Sequence, residues 1–110
     1  MTKVVFHLSR ERGGFRGFTA EGHAGASGET EFDLVCCAVS VLTTTAANAL
    51  EEVAGIHPVE AEGDGCLTCF LPPVVDDGAW RMAQIIFRTM ECGLNGIEKD
   101  YPGFVRIERK

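Results

Sequence analysis

Apolar and polar positions alternate from the start of the chain, with Val4, Phe6 and Leu8 set against Lys3, His7 and Ser9. That is the period of a half-buried strand, and Gly13-Gly14 supplies a turn into a second one, Phe15 to Glu21. From Gly22 to Thr30 the residues are small and glycine-rich, too poor in apolar anchors for regular structure, and a mobile loop is expected there. Asp33 then reads as the N-cap of a helix through about Val53. Val35, Val39, Leu42, Ala46, Leu50 and Val53 form its apolar stripe, and Gly55 forms its stop. Pro58 to Ala61, the turn Glu62-Gly63-Asp64-Gly65, and Cys66 to Leu71 make a hairpin closed by Pro72-Pro73, which cannot continue a ladder. A second helix begins near Asp76 or Asp77. Trp80, Ala83, Phe87, Met90 and Leu94 recur along it at helical spacing, and Gly93 and Gly96 mark its expected end. Phe104 to Glu108 is a last short strand. The order β-β-α-β-β-α-β predicts an α+β two-layer sandwich, a mostly antiparallel sheet with two amphipathic helices on one face.

A length of 110 residues with 45% hydrophobic content fits one domain, residues 1–110, around a single core. No unbroken run of about 18 apolar residues is present to span a bilayer, and Met1-Thr2-Lys3 leads into alternation rather than an apolar signal core. A soluble, cytoplasmic protein without a membrane partner is expected. The five cysteines then do not read as a disulfide framework, because cytosolic thiols are kept reduced and an odd count cannot pair fully. With 10 Lys and Arg against 16 Asp and Glu, the net charge of −6 argues against a broad nucleic-acid footprint and favours a basic protein or peptide as partner.

The chemistry is concentrated between Gly22-His23-Ala24 and Asp33-Leu34-Val35-Cys36-Cys37-Ala38-Val39-Ser40, which put a histidine on a glycine-rich loop and a thiol in the expected first turn of a helix. Unpaired amides and the positive end of the helix dipole stabilise a thiolate there, and thiolate is the nucleophilic form. An imidazole in reach would take the thiol proton and return it to the leaving amine, which makes His23 the candidate base. Ser40 stands one turn after Cys36 on the same helical face, placed to bond the sulfur or orient substrate. Asp33, three residues before Cys36, is placed to cap its backbone N–H. Backbone N–H groups near the helix start, those of Cys36 or Cys37 included, are the expected oxyanion donors. Each residue also has a plainer reading: helical cysteines are more often inert core than catalytic, loop histidines are usually solvated, and Asp33 is a cap before it is a triad member.

The remaining thiols carry less. Cys66 and Cys69 share a C-x-x-C spacing, but on a strand they point to opposite faces and have no second ligand pair, so neither a zinc site nor a redox pair follows. Cys92 falls late in the second helix and is expected to pack. His7 and His57 have no motif around them and are expected at the surface or a strand edge.

Gly22-His23-Ala24, a short glycine-containing loop, Asp33-Leu34-Val35-Cys36 and Ala38-Val39-Ser40 together resemble the signature of the ribosomal-processing cysteine protease family, Prp, and the similarity runs over the whole chain. Cys37 stands where the family pattern suggests a small residue, and the loop before Cys36 is slightly long. The resemblance implies a cysteine endopeptidase that removes the short N-terminal extension of a large-subunit ribosomal protein. Its nucleophile and base would fall on Cys36 and His23, it would form a homodimer, and it would need no metal or organic cofactor. Two other readings compete: a non-catalytic dimeric binding module associated with the ribosome, and an esterase or amidase using the same pair on a small molecule.

Overall fold

The computed structural model describes residues 1–22 and 30–110, without the side chains of residues 30–33. Its elements follow the predicted order: β1 Thr2–Leu8, β2 Phe15–Glu21, α1 Thr30–Glu52, β3 Val59–Gly63, β4 Cys66–Phe70, α2 Asp77–Asp100 and β5 Val105–Arg109. The strands form one sheet in the order β3-β4-β2-β1-β5, in which only the β1–β5 pair is parallel.

Alternation along the strands decides what faces the helices. Val4 lies opposite Ala20, Phe6 opposite Phe18, and Phe18 opposite Cys69, which carries an apolar row across three strands. Val35, Val39, Ala46 and Leu50 of α1 and Ala83, Phe87, Met90 and Leu94 of α2 close over that row to make the core. The Phe87 ring meets Phe18 and Phe15 edge-on at 6.2 and 6.4 Å, the offset arrangement that aromatic quadrupoles prefer. By length and composition the Leu34–Glu52 stretch is capable of crossing a membrane, which qualifies the expectation that no such segment exists. Here its apolar stripe packs against the sheet.

Two glycines sit at points of close approach, and the first is opposed by backbone. A Cβ on Gly17 would lie 2.5 Å from the Cys69 carbonyl oxygen and 2.5 Å from the Phe70 ring, so that ring occupies the space a side chain would need. A Cβ on Gly93 would come within 2.9 Å of Leu42 Cδ1. Gly93 is therefore a contact point between the helices, and α2 runs past both Gly93 and Gly96 to Asp100 instead of ending at them. Helix α2 begins where the sequence places it, and the Asp76 side chain caps it by accepting from Ala79 N at 2.9 Å. In the β3–β4 turn Asp64 and Gly65 both have positive φ, 40° and 75°, the backbone a two-residue hairpin of matching twist demands.

Other expectations shift. Helix α1 begins at Thr30, so Asp33 lies inside it and is not its N-cap. Val53 is exposed, since it falls after the helix has ended and before Gly55 turns the chain at φ 67°. Cys92 is exposed rather than packed. His57 is exposed, but His7 is half-buried, its Nε2 2.8 Å from Thr19 Oγ1 and its ring 5.0 Å from that of Phe70. Thr30, expected in the glycine-rich loop, is already helical, and residues 23–29 of that loop lie outside the described residues.

Candidate active site

Where β1 and β2 reach the same end of the sheet, α1 crosses above them and the β3–β4 turn folds alongside, and a cleft of about 400 Å³ opens between them. Its apolar lining includes Ala20, Val39 and Leu67, its hydroxyls come from Thr2, Ser40, Thr43 and Thr44, and its acidic groups from Glu21, Glu62 and Asp64. Gly22 lines it too, bound to the hairpin turn by its N–H to the Gly65 carbonyl at 3.0 Å. A Cβ on Gly65 would lie 2.5 Å from the Gly22 carbonyl oxygen, so the two chain segments are in close contact.

Cys36 lines this cleft and is 8% exposed. Its sulfur lies 3.4 Å from Thr2 Oγ1, within the buried part of the site. Ser40 shares the cleft one turn further along α1, as the i, i+4 spacing predicts. The expected electrostatics do not follow in the same way. Cys36 is six residues beyond Thr30, about 9 Å along the axis, whereas the influence of the helix end fades within its first turn. Its N–H and that of Cys37 also lie past the unpaired amides of a helix start, which removes them as oxyanion donors. The Asp33 side chain and the whole of His23 lie outside the described residues. Neither His7 nor His57 lines the cleft.

The other thiols have distinct surroundings. Burial, reinforced by the nearby Glu60 carboxylate, pushes the Cys69 thiol up to about 12, so it is core and no nucleophile near neutral pH. Cys37 is exposed on the helix, and Cys66 is half-buried at the start of β4. His7 is held below its ordinary value by burial and then by the positive charges of Arg16 and Lys110. No group of three or more metal-ligating side chains occurs among the described residues. Sequence reading missed Thr2 altogether: its contact with Cys36 spans 34 residues, and only strand alternation signals that it faces inward.

A helix thiol at the wall of a cleft of about 400 Å³ is compatible with the class of cysteine hydrolases. Comparison with known proteins narrows that class: the model of the family "Cysteine protease Prp" matches residues 1–106, and the chain belongs to that family. The ribosomal processing cysteine protease Prp of Bacillus subtilis (strain 168) is 33% identical over 109 residues, 97% of this chain and 96% of the relative. The crystal structure of an essential ribosomal processing protease Prp from S. aureus in complex with a substrate peptide superposes with a TM-score of 0.83 at 26% identity, covering both chains fully. The same S. aureus protease with a covalently linked product peptide gives a TM-score of 0.80 at 26% identity, again with full coverage. The protein is accordingly a cysteine protease, a hydrolase.

Proposed function

We propose that this chain is a cytoplasmic endopeptidase that removes the N-terminal extension of a large-subunit ribosomal protein, with Cys36 as nucleophile and His23 as general base. The observation that carries the reading is that Cys36 and Gly22, the residue to which His23 is joined, line one cleft. The histidine count supports the base: the chain has three, and the other two stand away from the cleft. The relatives' activity supports the substrate, since the B. subtilis relative is a ribosomal processing protease.

In this mechanism the His23 imidazole takes the proton from Cys36 Sγ, and the sulfur adds to the scissile carbonyl carbon. The tetrahedral intermediate collapses as the imidazolium gives its proton to the departing amine, leaving a thioester. Water, deprotonated by the imidazole, then adds to the thioester carbonyl, and the thiolate leaves. Ser40, in the same cleft, orients the peptide. The test is to incubate the protein with the unprocessed ribosomal protein and follow mass loss. Wild type yields the shortened product, while Cys36→Ala and His23→Ala do not. Cleavage that survives Cys36→Ala but stops in Cys37→Ala would move the nucleophile to the neighbouring sulfur.

The homodimer implied by the family resemblance belongs to the same proposal. On the outer side of the helices, Val41 and Ile85 are exposed beside an apolar groove of about 410 Å³, which a second copy would cover. Sedimentation equilibrium should give twice the chain mass, and a monomer at working concentration would remove this part of the proposal.

A further inference from the structure

The core-facing row of β1 is Thr2, Val4 and Phe6, and the last two are fully buried hydrocarbon. Thr2 is 5% exposed, yet it carries a hydroxyl where valine would fill the same space. A buried hydroxyl is costly unless bonded, and this one lies 3.4 Å from the Cys36 sulfur. We propose that Thr2 is a positioning residue, its hydroxyl donating to the Cys36 sulfur once that sulfur has lost its proton and holding it toward the cleft. The inference rests on the assignment of Cys36 as nucleophile.

Three features point the same way. While the sulfur is protonated either atom can donate, but a thiolate has no hydrogen, so the Thr2 O–H becomes the only donor of the pair. Such a bond favours the charged sulfur over the neutral one. The hydroxyl is also held in place: the Thr2 N–H donates to the Phe104 carbonyl at 3.1 Å, and β-branching restricts rotation about Cα–Cβ. Finally, a Cβ on Gly22 would lie 2.8 Å from Thr2 Oγ1 and 3.1 Å from its Cα, so the segment that continues into His23 passes directly over this side chain. Because Cys36 lies well inside α1, the local hydroxyl replaces part of what a helix end would have supplied.

The test follows iodoacetamide labelling of Cys36 by site-resolved mass spectrometry across a pH series, beside thermal unfolding. In that reaction the thiol proton goes to solvent base, the S–C bond forms, iodide leaves, and Thr2 keeps its hydrogen. In Thr2→Val the rise of labelling moves about one pH unit upward, and labelling at neutral pH falls about tenfold, the size expected for losing a hydrogen bond to a charged group. Thr2→Ser retains the wild-type profile. Should the valine variant fail to fold, Thr2→Ala removes the hydroxyl without the branched methyl and is expected to give the same shift. A hydroxyl-free variant that folds and matches the wild-type profile, or a serine variant that falls with it, would overturn the proposal. Labelling needs no substrate, so its outcome stands apart from the protease assignment: peptide cleavage by Cys36→Ala would refute that assignment whatever the Thr2 profiles show.

Discussion

Glu91 was invisible to a search for catalytic residues, yet it is the charged side chain that α2 buries. It sits on the helix stripe one turn after Phe87, where periodicity predicts a hydrophobe, and the Arg109 guanidinium of β5 explains the exception with two bonds of 2.7 Å to its oxygens. Those hydrogen bonds, aided by the charges of Arg109 and Arg88, hold its carboxyl below the usual carboxylate range despite opposing burial. A carboxyl whose folded value is depressed contributes stability above its unfolded value and loses that contribution as pH falls through the folded one. Arg109→Gln should therefore cost about 2 kcal/mol at neutral pH, with the gap to wild type closing as the solution is taken below the ordinary carboxylate range; urea unfolding at a series of pH values reads this. A constant gap would assign the loss to the packing of Arg109 over the Phe15 ring. Cys92 shows the converse: it stands two positions after Met90, about 200° round the helix, so the stripe itself places it in solvent.

At the scale of elements, the order and kind of all seven segments were legible because each carries its own local signal: period-two alternation, two apolar stripes, and an Asp-Gly turn. Boundaries were harder where two signals compete. Thr30 and Asp33 are both residues that start helices, and the chain begins α1 at the earlier one, which moves Cys36 from the first turn to the second. Glycine was ambiguous for a different reason. Gly93 resembles a stop in sequence, but its partner Leu42 belongs to another helix, and no local pattern announces that. Gly17 yields the sharpest expectation. Its missing side chain is opposed by a backbone carbonyl, which cannot rotate away, so Gly17→Ala should destabilise the fold by about 2–3 kcal/mol in equilibrium unfolding. A change below about 0.5 kcal/mol would mean that β2 and β4 separate more easily than their register indicates.

Over the whole molecule, strand pairing was the unreadable part. Nothing local says that β1 lies between β2 and β5, or that the hairpin docks on β2, because those neighbours are chosen by which faces must be buried together. The cleft inherits this: Thr2, Gly22, Cys36 and Gly65 come from four segments, and of its lining only Cys36 and Ser40 with their immediate context could be picked out beforehand. Charge, in contrast, was readable at once. The net −6 reappears locally as Glu21, Glu62 and Asp64 around the cleft, which should draw a basic peptide. Raising salt shortens the screening length from about 10 Å at 0.1 M to about 3 Å at 1 M, so KM for a lysine-rich peptide should rise severalfold while kcat changes little. A KM indifferent to salt would leave recognition to the apolar floor alone.

The bond from Gly22 to Gly65 has a wider bearing. It ties an outlying β-ribbon to the stem of the strand that runs on into His23, so whatever twists the ribbon also tugs that stem. Under the proposed mechanism, substitutions in the ribbon, though it begins more than twenty residues downstream of Cys36, should bear on proteolysis as well as on folding. If His23 is the general base, as proposed, a molecule that gripped the ribbon's free border should slow cleavage without ever entering the cavity.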